Sequence, residues 1–102
     1  MAYTTIDDPG EYFNTVLWTG NATDDTAITG VGFSPDWVWI KNRSTTEAHH
    51  TADSVIGAAK RLRTNTTGAL GNQADGVKSF DSNGITIGTT GSLNGNGNSI
   101  VG

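Results

Sequence analysis

The pair His49 and His50 comes nearest to a metal-binding motif in this sequence. Glu47 and Asp53 lie within three residues of the pair and could add carboxylate oxygens. Adjacent side chains point to opposite faces of a strand and diverge by about 100° on a helix, so they do not readily bind one ion. We therefore expect no metal and no other cofactor, and we predict that both histidines lie in a surface loop. The chain has no cysteine, which excludes disulfides and thiolate chemistry.

The ten acidic residues raise the alternative of a glycan-cleaving enzyme, which needs two carboxyl groups facing each other across a cleft. Most carboxylates here stand beside Gly, Asn or Thr, where an Asp side chain usually caps the backbone of a turn. The examples are Asp7, Asp8, Asp24, Asp25, Asp75 and Asp81. The sequence has no serine-hydrolase, zinc-protease or phosphate-loop motif. We predict that the protein is not an enzyme, so assays on host surface polysaccharide should show no turnover.

Three tryptophans, Trp18, Trp37 and Trp39, are the remaining candidates for ligand binding, since exposed indole rings stack well on flat apolar surfaces. Trp37 and Trp39 are two residues apart and so share one face of a strand. That spacing suits either a sugar-binding platform or a protein core. Because Leu, Ile, Val and Phe make up only 20 of the 102 residues, we predict that the rings are needed to fill the core.

Composition and charge narrow the class of protein further. Gly, Thr, Asn and Ser account for 46 of 102 residues, and the net charge is −4. A mildly acidic chain is a poor match for a nucleic-acid surface, and its clustered basic residues at 41–43 and 60–63 are expected on a solvated strand edge. No apolar run approaches the roughly 20 residues of a membrane helix. We expect no nucleic-acid partner, no membrane insertion, and a modest core that depends on backbone ladders or neighbouring chains.

Short segments rich in β-branched and aromatic residues recur between turn residues, which predicts strands. They are expected at residues 14–19, 26–29, 36–44, 77–80 and 85–88. The segment at 36–44 is the strongest. Apolar residues occupy both of its faces, which predicts a central strand covered on both sides. Asn83 and Gly84 supply the positive φ angles of a tight turn and predict a β-hairpin over residues 77–88.

Residues 45–63 do not follow one clear pattern. Val55, Ala58, Ala59 and Leu62 have the spacing of a helix face, so a helix of one or two turns at 52–59 is one interpretation. Gly57 argues against a longer helix, because glycine costs about 1 kcal/mol relative to alanine. An extended stretch at 60–64 would then place Leu62 inward. Residues 91–102 are predicted as a long loop and the first residues of a further strand.

Short strands at regular spacing, without a long amphipathic helix, are typical of an all-β sandwich. We predict one antiparallel β-sandwich over residues 1–102, of the jelly-roll or concanavalin-like type, with at most one short helix. Its core or interfaces are expected to include the large apolar side chains Trp18, Phe33, Trp37, Trp39, Ile40 and Phe80.

The segments at 12–21, 28–44, 53–55 and 79–88 resemble an uncharacterised domain family of tailed bacteriophages. The most specific part of the likeness is the string Phe-Ser-Pro-Asp-Trp-Val-Trp-Ile-Lys-Asn-Arg-Ser at residues 33–44. Members of that family look like parts of virion proteins, especially tail fibres and other appendages, and often carry the domain in tandem. The family has no established catalytic residues to transfer to this chain.

The resemblance implies a structural protein of the virion, in a tail fibre, another appendage or a capsid decoration on the outer surface or tail. Its expected partners are other virion proteins and copies of itself, and analogy with phage appendages favours a homotrimer. Host surface glycans are the alternative partner. In that case the domain would be a receptor-recognition module that uses exposed aromatic rings or the polar loops at 64–75 and 89–98.

One departure from the family concerns the last strand. Members usually continue after the Asn-Gly-Asn loop at residues 94–96 into a Trp-rich closing strand, whereas this sequence stops at Gly102. The resemblance therefore implies either the first domain of a longer protein, which we favour, or a final strand that another subunit supplies. Both alternatives place the chain in a larger assembly, because a sandwich without its last strand has an unpaired edge.

Overall fold

The computed structural model describes residues 8–102, which form nine short strands and one helical turn of α-helix. After a 3-10 turn at Pro9–Glu11, the strands are β1 (Leu17–Thr19), β2 (Thr26–Ile28), β3 (Trp37–Asn42), β4 (His50–Asp53), β5 (Lys60–Arg61), β6 (Gly71–Asn72), β7 (Val77–Asp81), β8 (Gly84–Ile87) and β9 (Ser99–Val101), with α1 (Gly91–Asn94) between the last two. No helix within residues 8–102 is long and apolar enough to cross a membrane.

The strands of the described range form three antiparallel sheets. Their orders are β1-β9-β3-β4 in the largest sheet, β2-β8-β7 in the second, and β5-β6 in a small third sheet. Buried side chains of the two larger sheets pack against each other, with Ile40 and Ile100 on one side and Val77 and Ile87 on the other. The predicted all-β, sandwich-like fold with one short helix is confirmed.

Strand β3 shows how alternation directs side chains toward this core. Ile40 and Asn42 are buried and Val38 is partly buried, so the even-numbered side chains face the second sheet. On the neighbouring strand, Ile100 lies opposite Asn42 and is also fully buried. The odd-numbered side chains of β3 therefore belong to the outer face of the large sheet.

The predicted hairpin is formed by β7 and β8. Asp81 pairs with Gly84, so Ser82 and Asn83 are the two turn residues, and neither has a positive φ. Glycine is required at 84 for a different reason, since a Cβ there would lie 1.8 Å from the carbonyl oxygen of Ile28. The Asn-Gly pair thus marks a close approach of two strands rather than the expected turn type.

The helix considered at 52–59 does not form. β4 extends to Asp53 and a turn follows, in which the Asp53 side chain accepts hydrogen bonds from the N–H groups of Val55 and Ile56 at 2.9 and 2.8 Å. Val55 is 93% exposed, and Leu62 is 42% exposed instead of facing the core. The four-residue pairing of β4 with β3 overrides the weak helical spacing of this segment.

The predicted loop at residues 91–98 contains α1, and the predicted last strand is β9. β9 lies between β1 and β3, where Ile100 faces Trp18 on one side and Asn42 on the other. Gly102 continues the pairing with β1 by exchanging two backbone hydrogen bonds with Val16, at 2.9 and 3.0 Å. The C-terminal residues are therefore an interior part of the large sheet.

Candidate functional site

Trp37 and Trp39 are each 50% exposed, so the prediction that these rings fill the core is wrong. They are odd-numbered residues of β3 and lie on the outer face, while Val38 and Ile40 face the second sheet. Their ring centroids are 6.3 Å apart with an interplanar angle of 49°. Isoleucine and valine fill the core in their place.

The other four residues predicted for the core or an interface are buried or partly buried. Ile40 is 1% exposed within the core, and Trp18 and Phe80 are partly buried against it. The Trp18 ring is fixed by a hydrogen bond from its Nε1–H to the carbonyl oxygen of Leu93 at 2.9 Å. Phe33 is partly buried and lines the groove described next, together with Trp18, Trp37, Trp39 and Ile40.

A groove of about 680 Å³ lies between residues 11–16, which precede and lead into β1, and residues 33–41, which include β3 except for its last residue. We call it the aromatic groove. Tyr12 and Phe13 line its first wall and are 61% and 69% exposed. Ile28 and Ile85 of the second sheet also line it. The aromatic groove therefore combines apolar surface with aromatic rings that are open to solvent. Composition alone did not predict this groove.

Sheet register explains the position of the aromatic groove. β9 pairs with Lys41 and Asn42 at one end of β3, whereas Trp37–Ile40 have β4 on one side and the groove on the other. The Arg43 N–H donates to the Ser99 carbonyl at 2.8 Å, so odd-numbered residues of β3 direct their backbone groups toward the β9 side. The N–H and C=O groups of Trp37 and Trp39 consequently face the groove.

His49 positions the Trp39 ring. The indole Nε1–H donates to His49 Nδ1 at 3.0 Å, and the two ring centroids are 5.6 Å apart. The loop before His49 is held by the Lys41 ammonium group, which donates to the carbonyl oxygens of Asn42, Thr45 and Glu47 at 2.6, 3.0 and 2.9 Å. His49 thus lies in the loop before β4, as predicted, and is partly buried where it supports the aromatic surface.

His50 is fully buried in β4, so the prediction of a surface loop is wrong for this residue. It lies opposite Ile40 in the ladder, and a Cβ on Gly76 would come within 2.6 Å of its Cε1 atom. Neither ring nitrogen has a hydrogen-bond partner within residues 8–102. Burial, assisted by the positive charge of Arg61, lowers the pKa of His50 to about 4. The ring is therefore neutral at physiological pH.

Three carboxylates outside the aromatic groove contact polar side chains of β7 and β8. Asp24 and Asp25 both contact the Lys78 ammonium group, at 3.0 and 2.7 Å, and the hydrogen bond with Lys78 lowers the pKa of Asp24. Asp81 accepts hydrogen bonds from Thr86 and Ser79, at 2.6 and 2.8 Å, which lower the pKa of Asp81. These contacts are all to side chains and so differ from the backbone caps that the sequence predicts for such carboxylates.

Two carboxylates, Glu11 and Asp36, are among the described residues that line the aromatic groove. Asp36 Oδ1 accepts a hydrogen bond from Ser54 Oγ at 2.9 Å, and its carbonyl accepts one from the Ser54 N–H at 2.8 Å. In the part of the chain from residue 8 onward, no three His, Asp or Glu side chains form a cluster able to hold a metal ion. Asp7 lies outside the described residues.

The chain matches the family model of a domain of unknown function (DUF7483) over residues 8–102. The match spans almost the entire sequence, and the chain therefore belongs to the DUF7483 family. No curated protein and no solved structure is similar enough to the chain to count as a match.

Proposed function

We propose that this DUF7483 domain is a non-enzymatic assembly module of a tailed-phage virion, which binds other virion proteins and copies of itself through the aromatic groove. The sequence resemblance to phage appendage proteins supports the virion setting. The observation that carries the assembly role is the set of half-exposed aromatic rings beside backbone groups of β3 that face the groove. The proposed location is the outer surface or tail of the particle.

Exposed aromatic surface on this scale needs an explanation. Tyr12, Phe13, Trp37 and Trp39 are all at least half exposed and line one groove. Contiguous apolar patches on soluble domains usually mark an interaction site, and Trp and Tyr contribute strongly to binding at such sites. Burying these rings against another chain would supply the apolar contacts that the small core of one domain lacks.

We expect the protein to form a homo-oligomer, with a trimer favoured by analogy, and the double substitution Trp37→Ser, Trp39→Ser to weaken its association by at least about tenfold. We expect this because the double substitution removes two ring contacts from the interface and leaves the core packing unchanged. Analytical ultracentrifugation over a micromolar concentration series measures the effect. Val55→Ser is the matched control, because Val55 is 93% exposed and does not line the groove.

A wild-type protein that sediments as a stable monomer at these concentrations would contradict self-association. The virion setting is tested separately: antibodies against the domain should label particles of a phage that encodes it, at the tail or on the outer surface. Absence of the protein from purified particles would contradict that part of the proposal.

A second candidate function is carbohydrate binding for host attachment, and the position of Trp37, Trp39 and His49 on one surface favours it. The Trp37 and Trp39 rings are tilted relative to each other, and His49 holds the Trp39 ring in place by accepting its indole hydrogen bond. Rings held in this way can stack on sugar faces.

If this second function holds, calorimetry with host surface polysaccharide should show binding that Trp39→Ala weakens by about tenfold or more. His49→Gln should weaken binding by a smaller factor, because it loosens the Trp39 ring without removing it. Unchanged affinity in Trp39→Ala would place any glycan site elsewhere, for example in the polar loops at 64–75 and 89–98.

A further inference from the structure

We infer that a small cavity on β5 and β6 binds a tetrahedral oxyanion, a phosphate or sulfate group, through Arg61 and Arg63. The cavity has a volume of about 90 Å³. Its lining consists of these two arginines together with Gly68, Ala69 and Gly71. It shares no lining residue with the aromatic groove, so oxyanion binding and assembly through that groove can be tested independently of each other.

Both arginines lie on the same face, which continues the inner face of the large sheet. β5 meets β4 at a bridge between Thr51 and Leu62, which exchange backbone hydrogen bonds at 2.9 and 3.0 Å. In this register Arg63 lies beside His50, which is buried on the inner face opposite β3. Arg61 precedes Arg63 by two residues, so its side chain leaves the strand on the same side.

The residues of β6 that face the arginines are small. Gly71 pairs directly with Arg61, and the same register brings Ala69 opposite Arg63. A Cβ on Gly71 would have no atom within 4 Å, so the space beside Arg61 is open. The lining residues other than Arg61 are exposed, so the second sheet does not cover this part of the inner face. The cavity therefore has two cationic groups on one side and almost no side-chain atoms on the other.

Within the described part of the chain, neither arginine has a carboxylate at ion-pair distance, since both ion pairs there belong to Lys78. Burial and the positive charge of Arg63 lower the pKa of Arg61. Glu47 and Asp75 act in the opposite direction, but from beyond 4 Å. An anion between the two guanidinium groups would offset their repulsion and replace the hydration that burial removes.

The class of the ligand follows from the geometry of the donors. A guanidinium group donates in a planar fork to two oxygens at once, so two forks are best filled by an anion with more than two oxygens. Phosphate and sulfate have four oxygens, whereas a carboxylate has two. The cavity volume of about 90 Å³ equals that of about three water molecules, which accommodates one such group but not a sugar ring. Its open side leaves room outside the cavity for the rest of an ester.

Titration with inorganic phosphate, followed by NMR at pH 7.5 and constant ionic strength, tests the site. The backbone amides of Gly68, Ala69 and Gly71 should shift with a dissociation constant of about 1 mM. Arg63→Gln should weaken binding by at least about tenfold, because it removes one charge-assisted fork. Arg43→Gln is the matched control, since Arg43 is exposed and lies outside the cavity. It makes the same change of charge and should alter the affinity by less than about twofold.

A second variant tests the cavity without changing its charge. Gly71 lies in β6 and does not have a positive φ, so Gly71→Val should be tolerated there. The valine side chain would fill the space beside Arg61 and should weaken phosphate binding by at least about tenfold. Amides that do not shift in the wild type, or wild-type affinity in both Arg63→Gln and Gly71→Val, would overturn the oxyanion site.

Two further ligands distinguish the sources of the anionic group. Glucose 6-phosphate that binds at least as tightly as inorganic phosphate would support an ester on a larger molecule as the ligand. Binding of inorganic phosphate without binding of glucose 6-phosphate would support the free ion. Acetate or glucose that shifts the same amides with the affinity of phosphate would overturn recognition of a tetrahedral oxyanion, because neither has its four oxygens around one centre.

Discussion

Replacing Asn94 by aspartate should lower the free energy of unfolding by about 3–5 kcal/mol, a large part of the stability of a domain of this size. Asn94 is fully buried, and its side-chain NH₂ group donates to the carbonyl oxygens of Thr23 and Gly88 at 3.0 and 2.9 Å. Its Oδ1 atom accepts from the Asn21 N–H at 2.8 Å. In an ionised aspartate, one oxygen would keep the Asn21 N–H as its donor, but the oxygen in place of the NH₂ group would face two carbonyl oxygens and have no donor.

The cost arises because Asn94 joins three separate parts of the chain. The segment after β1, the residue after β8 and the end of α1 all meet at this one amide. A protonated aspartic acid could donate to only one of the two carbonyl groups and would leave the other buried and unsatisfied.

Urea denaturation of the Asn94→Asp variant at pH 7 measures the predicted loss. Asn96→Asp is the matched control, since Asn96 is exposed two residues later and makes the same change of charge. The control should stay within about 0.5 kcal/mol of wild type. Equal stabilities of the two variants would show that the Asn94 network does not hold these segments together.

The second large effect is a loss of stability in mild acid that depends on His50. The pKa of this ring is lowered from 6.5 to about 4 in the folded protein, with burial as the main cause and the charges of Arg61 and Arg63 adding to it; Asp75 acts in the opposite direction. As the pH falls below 6.5, the unfolded chain binds a proton that the folded chain does not. The free energy of unfolding therefore has its full value above pH 6.5 and declines toward pH 4.

The expected decline is about 2 kcal/mol between pH 7.5 and pH 5, and about 3 kcal/mol by pH 4. Asp24 and Asp81 also have lowered pKa values, but their contribution is lost only as the pH falls below their ordinary value of 3.8. A change in stability between pH 7.5 and pH 5 therefore reports on His50 and not on these two carboxylates.

Urea denaturation midpoints across this interval provide the measurement. His50→Leu should retain its stability at pH 7, because neither ring nitrogen of His50 has a partner to lose, and should remove most of the decline. His49→Gln serves as the comparison and should keep it. A wild-type midpoint that does not change between pH 7.5 and 5 would contradict a neutral buried ring.

Local patterns in the sequence predicted the elements whose partners are close along the chain. The hairpin of β7 and β8 is one, because its alternating strands flank a two-residue turn. β3 is another, since its first four residues, Trp37–Ile40, are all aromatic or β-branched and favour a strand. In both cases the information needed lies within the segment itself.

The orientation of β3 could not be predicted in this way. Trp37 and Trp39 alternate with Val38 and Ile40, so both faces are apolar, and the choice of inner face depends on a second sheet formed from distant residues. The large rings were assigned to the core because few aliphatic residues are available. The structure instead uses Ile, Val, Ala and Leu there and leaves the rings on the outer face.

The region of α1 was missed for a different reason. Gly91 and Asn94 are weak helix formers, so propensity predicts a loop. The turn forms because Leu93 is fully buried and Asn94 satisfies its side-chain hydrogen bonds there. His50 was misplaced in the same way, since its burial follows from pairing with Ile40 rather than from its own polarity.

The order of strands in the large sheet also has a consequence for synthesis on the ribosome. β9 separates β1 from β3, although both precede it by more than half the length of the chain. While residues 99–101 are still inside the exit tunnel, the nascent protein has no element to join those two strands. Such long-range closure slows folding.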